Sequence, residues 1–249
     1  MLSLTELLAA SRQPRGVSDI ARTLGTSKAR IYRHLRALIE HGYVRQEPEA
    51  ERYEIGIKLM ILGEAVRDRF DVLGAMRPVM SELREASGLT VTVATLVENA
   101  VIVLDLMQGA ALVEFGIRPG ATLDFHASAH GLIALAFGPQ ALIDDVLSRP
   151  LPALTPRTVI HPDEVRAAVD KARKQGWATA PDQMLIGVNT LAAPVFDHRG
   201  GFRGSIAIVG STQFIAARPA KAQIDQVVHA ANEASRRLGW SGGAIAPPG

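Results

Sequence analysis

The sequence predicts an α+β protein in parts: an N-terminal winged helix-turn-helix, a connecting helix, and a larger C-terminal domain of interleaved strands and helices. Three observations predict it. Residues 1–56 read helix, short helix, tight turn, long basic helix and hairpin. Residues 57–86 are helical in pattern but too apolar for a solvent-bathed linker. Beyond them β-branched runs alternate with amphipathic segments, with one plain antiparallel hairpin turn.

The elements follow in order. Leu4, Leu7 and Leu8 give LSLTELLAAS one apolar face, and QPRG breaks it. Ser18 is the expected cap of a short second helix with Ile20, Ala21 and Leu24 inward. Gly25–Thr26 make a tight turn. A third helix spans about Ser27 to His41 on the stripe Ile31, Leu35, Leu38 and Ile39, and Gly42 ends it. From Tyr43 the period shortens, so YVRQ and RYEIG read as strands joined by the polar loop PEAE.

Ile57 to Ala86 is expected to be helical with a break near Pro78, and its surplus includes Leu59, Met60, Leu62, Met76, Met80 and Leu83. A second subunit is a candidate for covering that surplus. Thr90–Val97 and Ala100–Met107 read as strands about the turn ENA. Ala127–Ala136, Pro139–Leu147 and Asp163–Gln175 read as helices, the last with Val165, Ala168, Val169 and Ala172 inward. Val188–Phe196 and Phe202–Val209 are strands joined by DHRGG, and Ala220–Leu238 is a closing helix. The expected boundaries are 1–56, 57–86 and 87–240, with a disordered tail at 241–249.

Composition removes several functions. With no cysteine in 249 residues there is no disulfide framework, thiolate nucleophile or cysteine metal site. No basic leader precedes an apolar segment, and no run approaches the ~18 apolar residues of a membrane span. A cytoplasmic protein without a membrane partner is expected. The net charge of +2 says little, but Ser11 to Arg36 holds seven Lys/Arg against one acid, Asp19. Such a local excess is an electrostatic footprint.

On a helical wheel, Arg33 lies almost opposite the buried stripe of the third helix, with Ala29, Arg36 and Glu40 beside it. Arg30 takes one flank, Lys28 and Tyr32 the other. A major groove admits one helix, arginine pairs with guanine edges, and lysine or serine holds phosphate. Ser27, Lys28, Ala29, Arg30, Tyr32, Arg33 and Arg36 are therefore the expected contacts to double-stranded operator DNA, with Arg45 and Arg52 added from the wing. The bland alternative is a solvated basic helix. The surrounding order of short helix, turn and wing weighs against it.

The stretches VSDIARTLGTSKARIYRHLRALIEHGYV, RYEIGIKLMILGEAV, HASAHGLIALAF and GVNTLAAPVFDHRGGFRGSIAIVG resemble the IclR family of bacterial transcriptional regulators, in that family's order. The resemblance implies a GAF-like effector-binding domain after the linker helix, and homodimers that often pair into tetramers. Three places depart from the family's pattern: Ala29–Arg30 where Ser-Thr is usual, Gly131–Leu132 where Gly-Lys is usual, and Asp182–Gln183 where two acids are common.

The second domain also invites enzymatic and metal readings. His126 and His130 are four apart and share a helix face if both are helical, yet DFHASAH lacks the base of a zinc-protease motif. No GxSxG elbow, P-loop or dinucleotide glycine pattern occurs, so no catalytic residue, metal or cofactor is assigned. The competing function is an enzyme on a small organic acid with an appended DNA-binding domain. The resemblance implies instead a pocket for a small organic acid, carried here by Gly116, Ile117, His126, Ser128, Asp182, Thr190, Ala207 and Val209. Relatives that bind very small oxoacids tend to carry serines in the last strand. Ala207 and Val209 offer no hydroxyl, which points to a larger acid such as an aromatic or ring-derived carboxylate, or to a pocket closed by its own side chains.

Overall fold

The computed structural model describes residues 2–11, 13–47, 50–69, 71–110 and 117–242; for 64–69 and 71 only the backbone is described. The chain divides into two compact units, 1–70 and 71–249.

The first unit contains α1 (Leu2–Ala10), β1 (Arg15–Gly16), α2 (Val17–Thr23), α3 (Lys28–Glu40), β2 (Val44–Gln46), β3 (Arg52–Ile55) and α4 (Lys58–Arg69). Its core joins Leu4 and Leu8 of α1, Ile20 of α2, Ile31, Leu35 and Leu38 of α3, and Val44 and Tyr53 of the wing. The breaking segment QPRG holds a strand that the sequence did not announce. β1 pairs antiparallel with β3, giving a three-stranded sheet in the order β1-β3-β2. That strand also corrects the expected cap. Gly16, paired with Arg52, stands at the N-cap of α2 and has no side chain with which to cap it. The chain passes straight from strand into helix, which leaves Ser18 inside it.

α3 keeps its expected bounds. Ser27 Oγ accepts from the Arg30 N–H at 3.3 Å, and Gly42 after the last turn has a φ of +75°. There Gly42 N–H donates to Ile39 O and Tyr43 N–H to Leu38 O, satisfying the carbonyls that the helix end frees.

The second unit begins with α5 (Asp71–Ser87), which runs through Pro78. The expected break there does not occur. Pro78 is exposed, and burial of Met76, Val79, Met80 and Leu83 around it offsets the lost hydrogen bond. Next come β4 (Thr90–Val97), β5 (Ala100–Met107), β6 (Thr122–Leu123), α6 (Ala129–Phe137) and α7 (Gln140–Leu147). The unit closes with α8 (Pro162–Gln175), β7 (Ala178–Thr179), β8 (Val188–Phe196), β9 (Phe202–Ser211) and α9 (Lys221–Arg237).

The six strands form one antiparallel sheet in the order β6-β5-β4-β9-β8-β7. Alternation gives it two covered faces. Val91, Val93, Leu191, Val195, Ile206 and Ile208 pack with α5 and α9. Ala192 and Ala207 pack with α6 and α8, and Ala94, Val101 and Val103 meet Ala134 of α6 on the same side. This is the GAF-like layering, with the tiny edge strands β6 and β7 as unforeseen additions. α6 lies so close that a Cβ at Gly131 would fall 2.4 Å from Phe125 O, so only glycine fits. Of the tail, residues 243–249 lie outside the described residues.

Candidate nucleic-acid interface and sensor face

In α3 the buried stripe Ile31, Leu35 and Leu38 fixes which side faces outward, and Lys28, Ala29, Arg30, Tyr32, Arg33 and Arg36 are all exposed. The basic stretch splits into two kinds of cation. Arg15 and Arg22 share the Asp19 carboxylate at 2.6 and 2.7 Å, which lowers the pKa of Asp19 mainly through the Arg15 hydrogen bond. Lys28, Arg30, Arg33 and Arg36 have no carboxylate partner among the described residues. Burial, followed by surrounding positive charge that includes Arg30 and Arg33, holds His34 below its ordinary value.

The wing is equally divided. Arg45 reaches across β2–β3 to Glu54 at 2.6 Å, as their register places them opposite one another. Arg52 borders an open cleft of about 760 Å³ together with Tyr32, Ser18 and Arg15. The start of α2, the flank of α3 and the wing tip thus meet along one groove of the first unit.

In the second unit, most of the polar atoms expected around an effector are committed to the fold. Ser128 caps α6: its Oγ accepts from Gly131 N–H at 2.9 Å and donates to Asp124 O at 2.7 Å. His126 Nε2 meets Pro152 O at 3.0 Å. Asp182, at φ +60°, accepts from Gly187 N–H at 2.6 Å and from Arg157 at 2.5 Å. The segment between α7 and α8 completes the lacing: Thr155 Oγ donates to Asp182 O and Thr158 Oγ to Gln183 O, each at 2.7 Å. Residues 148–161 therefore tie the start of α6 to the loop before β8.

Thr190 is half-buried beside its cross-strand partner Val209. Among the described residues its hydroxyl has no partner; only its backbone N–H is held, by Asn189 Oδ1 at 2.8 Å. Ala207 is fully buried in the α6–α8 cluster, and Ile117 packs against Val101, Val103 and Leu123. Gly116 lies outside the described residues.

Sequence reasoning missed the polar centre of this face. His130 sits between Thr92 Oγ, 2.9 Å from Nε2, and Ser205 Oγ, 2.7 Å from Nδ1. Burial alone lowers its pKa to about 4, so the ring is neutral. Three of the four ring nitrogens of the His126/His130 pair are thereby occupied, and among the described residues no three metal-ligating side chains cluster. The alternation in TVTVA and GSIAIVG places Thr92, Ser205 and Ala207 on one face, which was the available signal.

Comparison with known proteins decides the family. The family description "Bacterial transcriptional regulator IclR C-terminal" matches residues 64–236, and "IclR helix-turn-helix domain" matches residues 2–48. The chain belongs to the IclR family. It is 32% identical over 248 residues to the glycerol operon regulatory protein of Streptomyces griseus, covering 95% of this chain and 94% of that one. A crystal structure of a putative IclR transcriptional regulator from Silicibacter sp. TM1040 shares 27% identity at a TM-score of 0.80, covering 99% of each chain. An IclR homolog from Microbacterium hydrocarbonoxydans, solved in complex with 4-hydroxybenzoate, aligns at a TM-score of 0.86 and 22% identity, covering 95% of this chain and 96% of that one. This chain is thus a transcriptional regulator with an IclR helix-turn-helix. Among the described residues no helix is long and apolar enough to cross a membrane.

Proposed function

We propose that this IclR-family protein is a cytoplasmic repressor that holds operator DNA through α3 and releases it when a small organic acid occupies the sheet face around Thr190 and Val209. The unpaired cations of α3, raised on a buried apolar stripe, carry the reading. Arg30 and Arg33 address base edges and phosphates, while Lys28, Arg36 and Arg52 track the backbone. Arg45 is spent on Glu54 and shapes the wing.

The ligand's carboxylate is assigned to the free hydroxyl of Thr190 and to neighbouring backbone N–H groups. Its ring-bearing body is assigned to the sheet face beside Thr190, where the Ala207 and Val209 side chains offer no hydroxyl to a smaller, more polar acid. The homologue held with 4-hydroxybenzoate supports that size class. Ser128 and Asp182 frame the pocket and do not bind, because their oxygens are already engaged. We assign the protein no catalytic role. The one Ser–His pair described above, Ser205 with His130, is 1% and 3% exposed, beyond reach of a substrate.

The ligand releases DNA only through unequal affinity for the DNA-competent and DNA-incompetent states. Anisotropy of a labelled operator duplex, titrated with a panel from glyoxylate to hydroxybenzoates, tests this. Release by ring-bearing acids at concentrations where glyoxylate is silent is expected. Release by glyoxylate alone would refute the size assignment.

A further inference from the structure

The edge of the sheet at β7 carries a second cleft, whose lining includes neither Thr190 nor Val209. It measures about 530 Å³, within the range of small-molecule sites. Leu132 of α6, Ile224 of α9, and Trp177 and Thr179 in and beside β7 form its wall, while Lys171 of α8 and Arg218 of the β9–α9 connection supply its charge. No acid lines it.

Nearby basic residues have carboxylate partners: Arg166 with Asp144, Arg173 with Asp170, Lys221 with Asp225. Lys171 and Arg218 have none among the described residues. Two uncompensated cations brought from separate elements to one apolar-walled cleft raise the local concentration of anions. Trp177 is half-buried and packs on the α5–α9 cluster, and Gln175 Nε2 donates to its backbone carbonyl at 2.7 Å. An indole packed on that cluster and lining a cleft with two cations offers a stacking surface at small entropic cost.

We propose that this cleft is a second ligand site, taking an organic anion with a flat apolar ring. The ring lies on Trp177 and the carboxylate meets Lys171 and Arg218, the guanidinium pairing in bidentate fashion. Thr190 and Val209, the residues assigned to the effector, do not line this cleft, so substitution at Thr190 distinguishes the two sites.

The chain has two tryptophans, so Trp240→Phe leaves Trp177 as the sole indole reporter. In full-length W240F, benzoate should quench that fluorescence saturably, and the neutral isostere benzamide should bind about tenfold more weakly or worse. Adding K171E and R218E, both at exposed positions, should weaken benzoate by about tenfold or more with an unchanged thermal melt. Thr190→Val in the same background should leave the quench as it was. The site is overturned if benzamide binds as well as benzoate, if charge reversal leaves the affinity intact, if T190V removes the signal, or if no saturable quench occurs.

Discussion

His130 Nδ1 lies 2.7 Å from Ser205 Oγ, on side chains 3% and 1% exposed. The imidazole joins α6 to β9, and through Thr92 to β4. The ring is thus a neutral structural polar group inside a regulator's sensing domain.

A pH dependence follows. The folded-state pKa of about 4 lies below the ordinary 6.5, so the unfolded chain binds the extra proton first. Stability should be full above pH 6.5 and fall toward pH 4, with a slope of up to about 1.4 kcal/mol per pH unit from this group. Asp197, held at about 2 chiefly by the Arg199 N–H and then by Gly201 and Arg203, loses its contribution only between pH 3.8 and 2, outside that window. His130→Leu should cost about 1–3 kcal/mol at pH 7 by stranding two hydroxyls, yet flatten the slope. Urea unfolding at stepped pH measures both.

Two substitutions separate framework from pocket. Ser128→Ala should cost about 1 kcal/mol through the lost α6 cap while leaving ligand affinity unchanged. Thr190→Val should do the reverse, weakening the ligand about tenfold with little loss of stability. Calorimetric titration and thermal melts on the same samples distinguish them. Equal ligand loss in both variants would count against the assignment of Thr190.

Met60, Ile61 and Leu62 of α4 are 63%, 60% and 43% exposed, a run of large apolar side chains left largely uncovered by the described residues. A single winged domain reads one half-site, so a two-fold pair is the economical arrangement. Light scattering of the full chain should report a dimer or tetramer, and M60E/I61E/L62E should reduce its mass and operator affinity together. A wild-type monomer at micromolar concentration would oppose this.

The long elements were legible because their periodicity is strong. β4, β5, β8 and α3 begin and end where β-branched runs, the Ser27 cap and Gly42 put them. Two-residue strands carry too little pattern to announce themselves, so β1, β6 and β7 were invisible. β1 in turn moved the start of α2 from Ser18 to Gly16. Pro78 misled because a proline on an exposed helix face can be outweighed by burial beside it.

At the sites, the outward set of α3 could be read from Ile31 and Leu35 alone. The pocket could not. Whether Ser128 or Asp182 is free to bind depends on partners 3 to 25 residues away, as Gly131 and Arg157 show. His130 drew attention as one of a spaced histidine pair, and only the cross-sheet placement of Thr92 and Ser205 gives it a different role.

The most direct test of the central claim is selection of a randomised duplex library by the full-length protein, wild type against R30A/R33A. Both arginines are exposed, so the double variant should melt like wild type, whereas Leu35→Ala, at a position 1% exposed, should cost about 2–5 kcal/mol. Wild type should enrich one inverted repeat with half-sites about one helical turn or a multiple apart, and R30A/R33A should enrich nothing above the starting pool. Recovery of the same repeat by the folded double variant would contradict α3 as the reading helix.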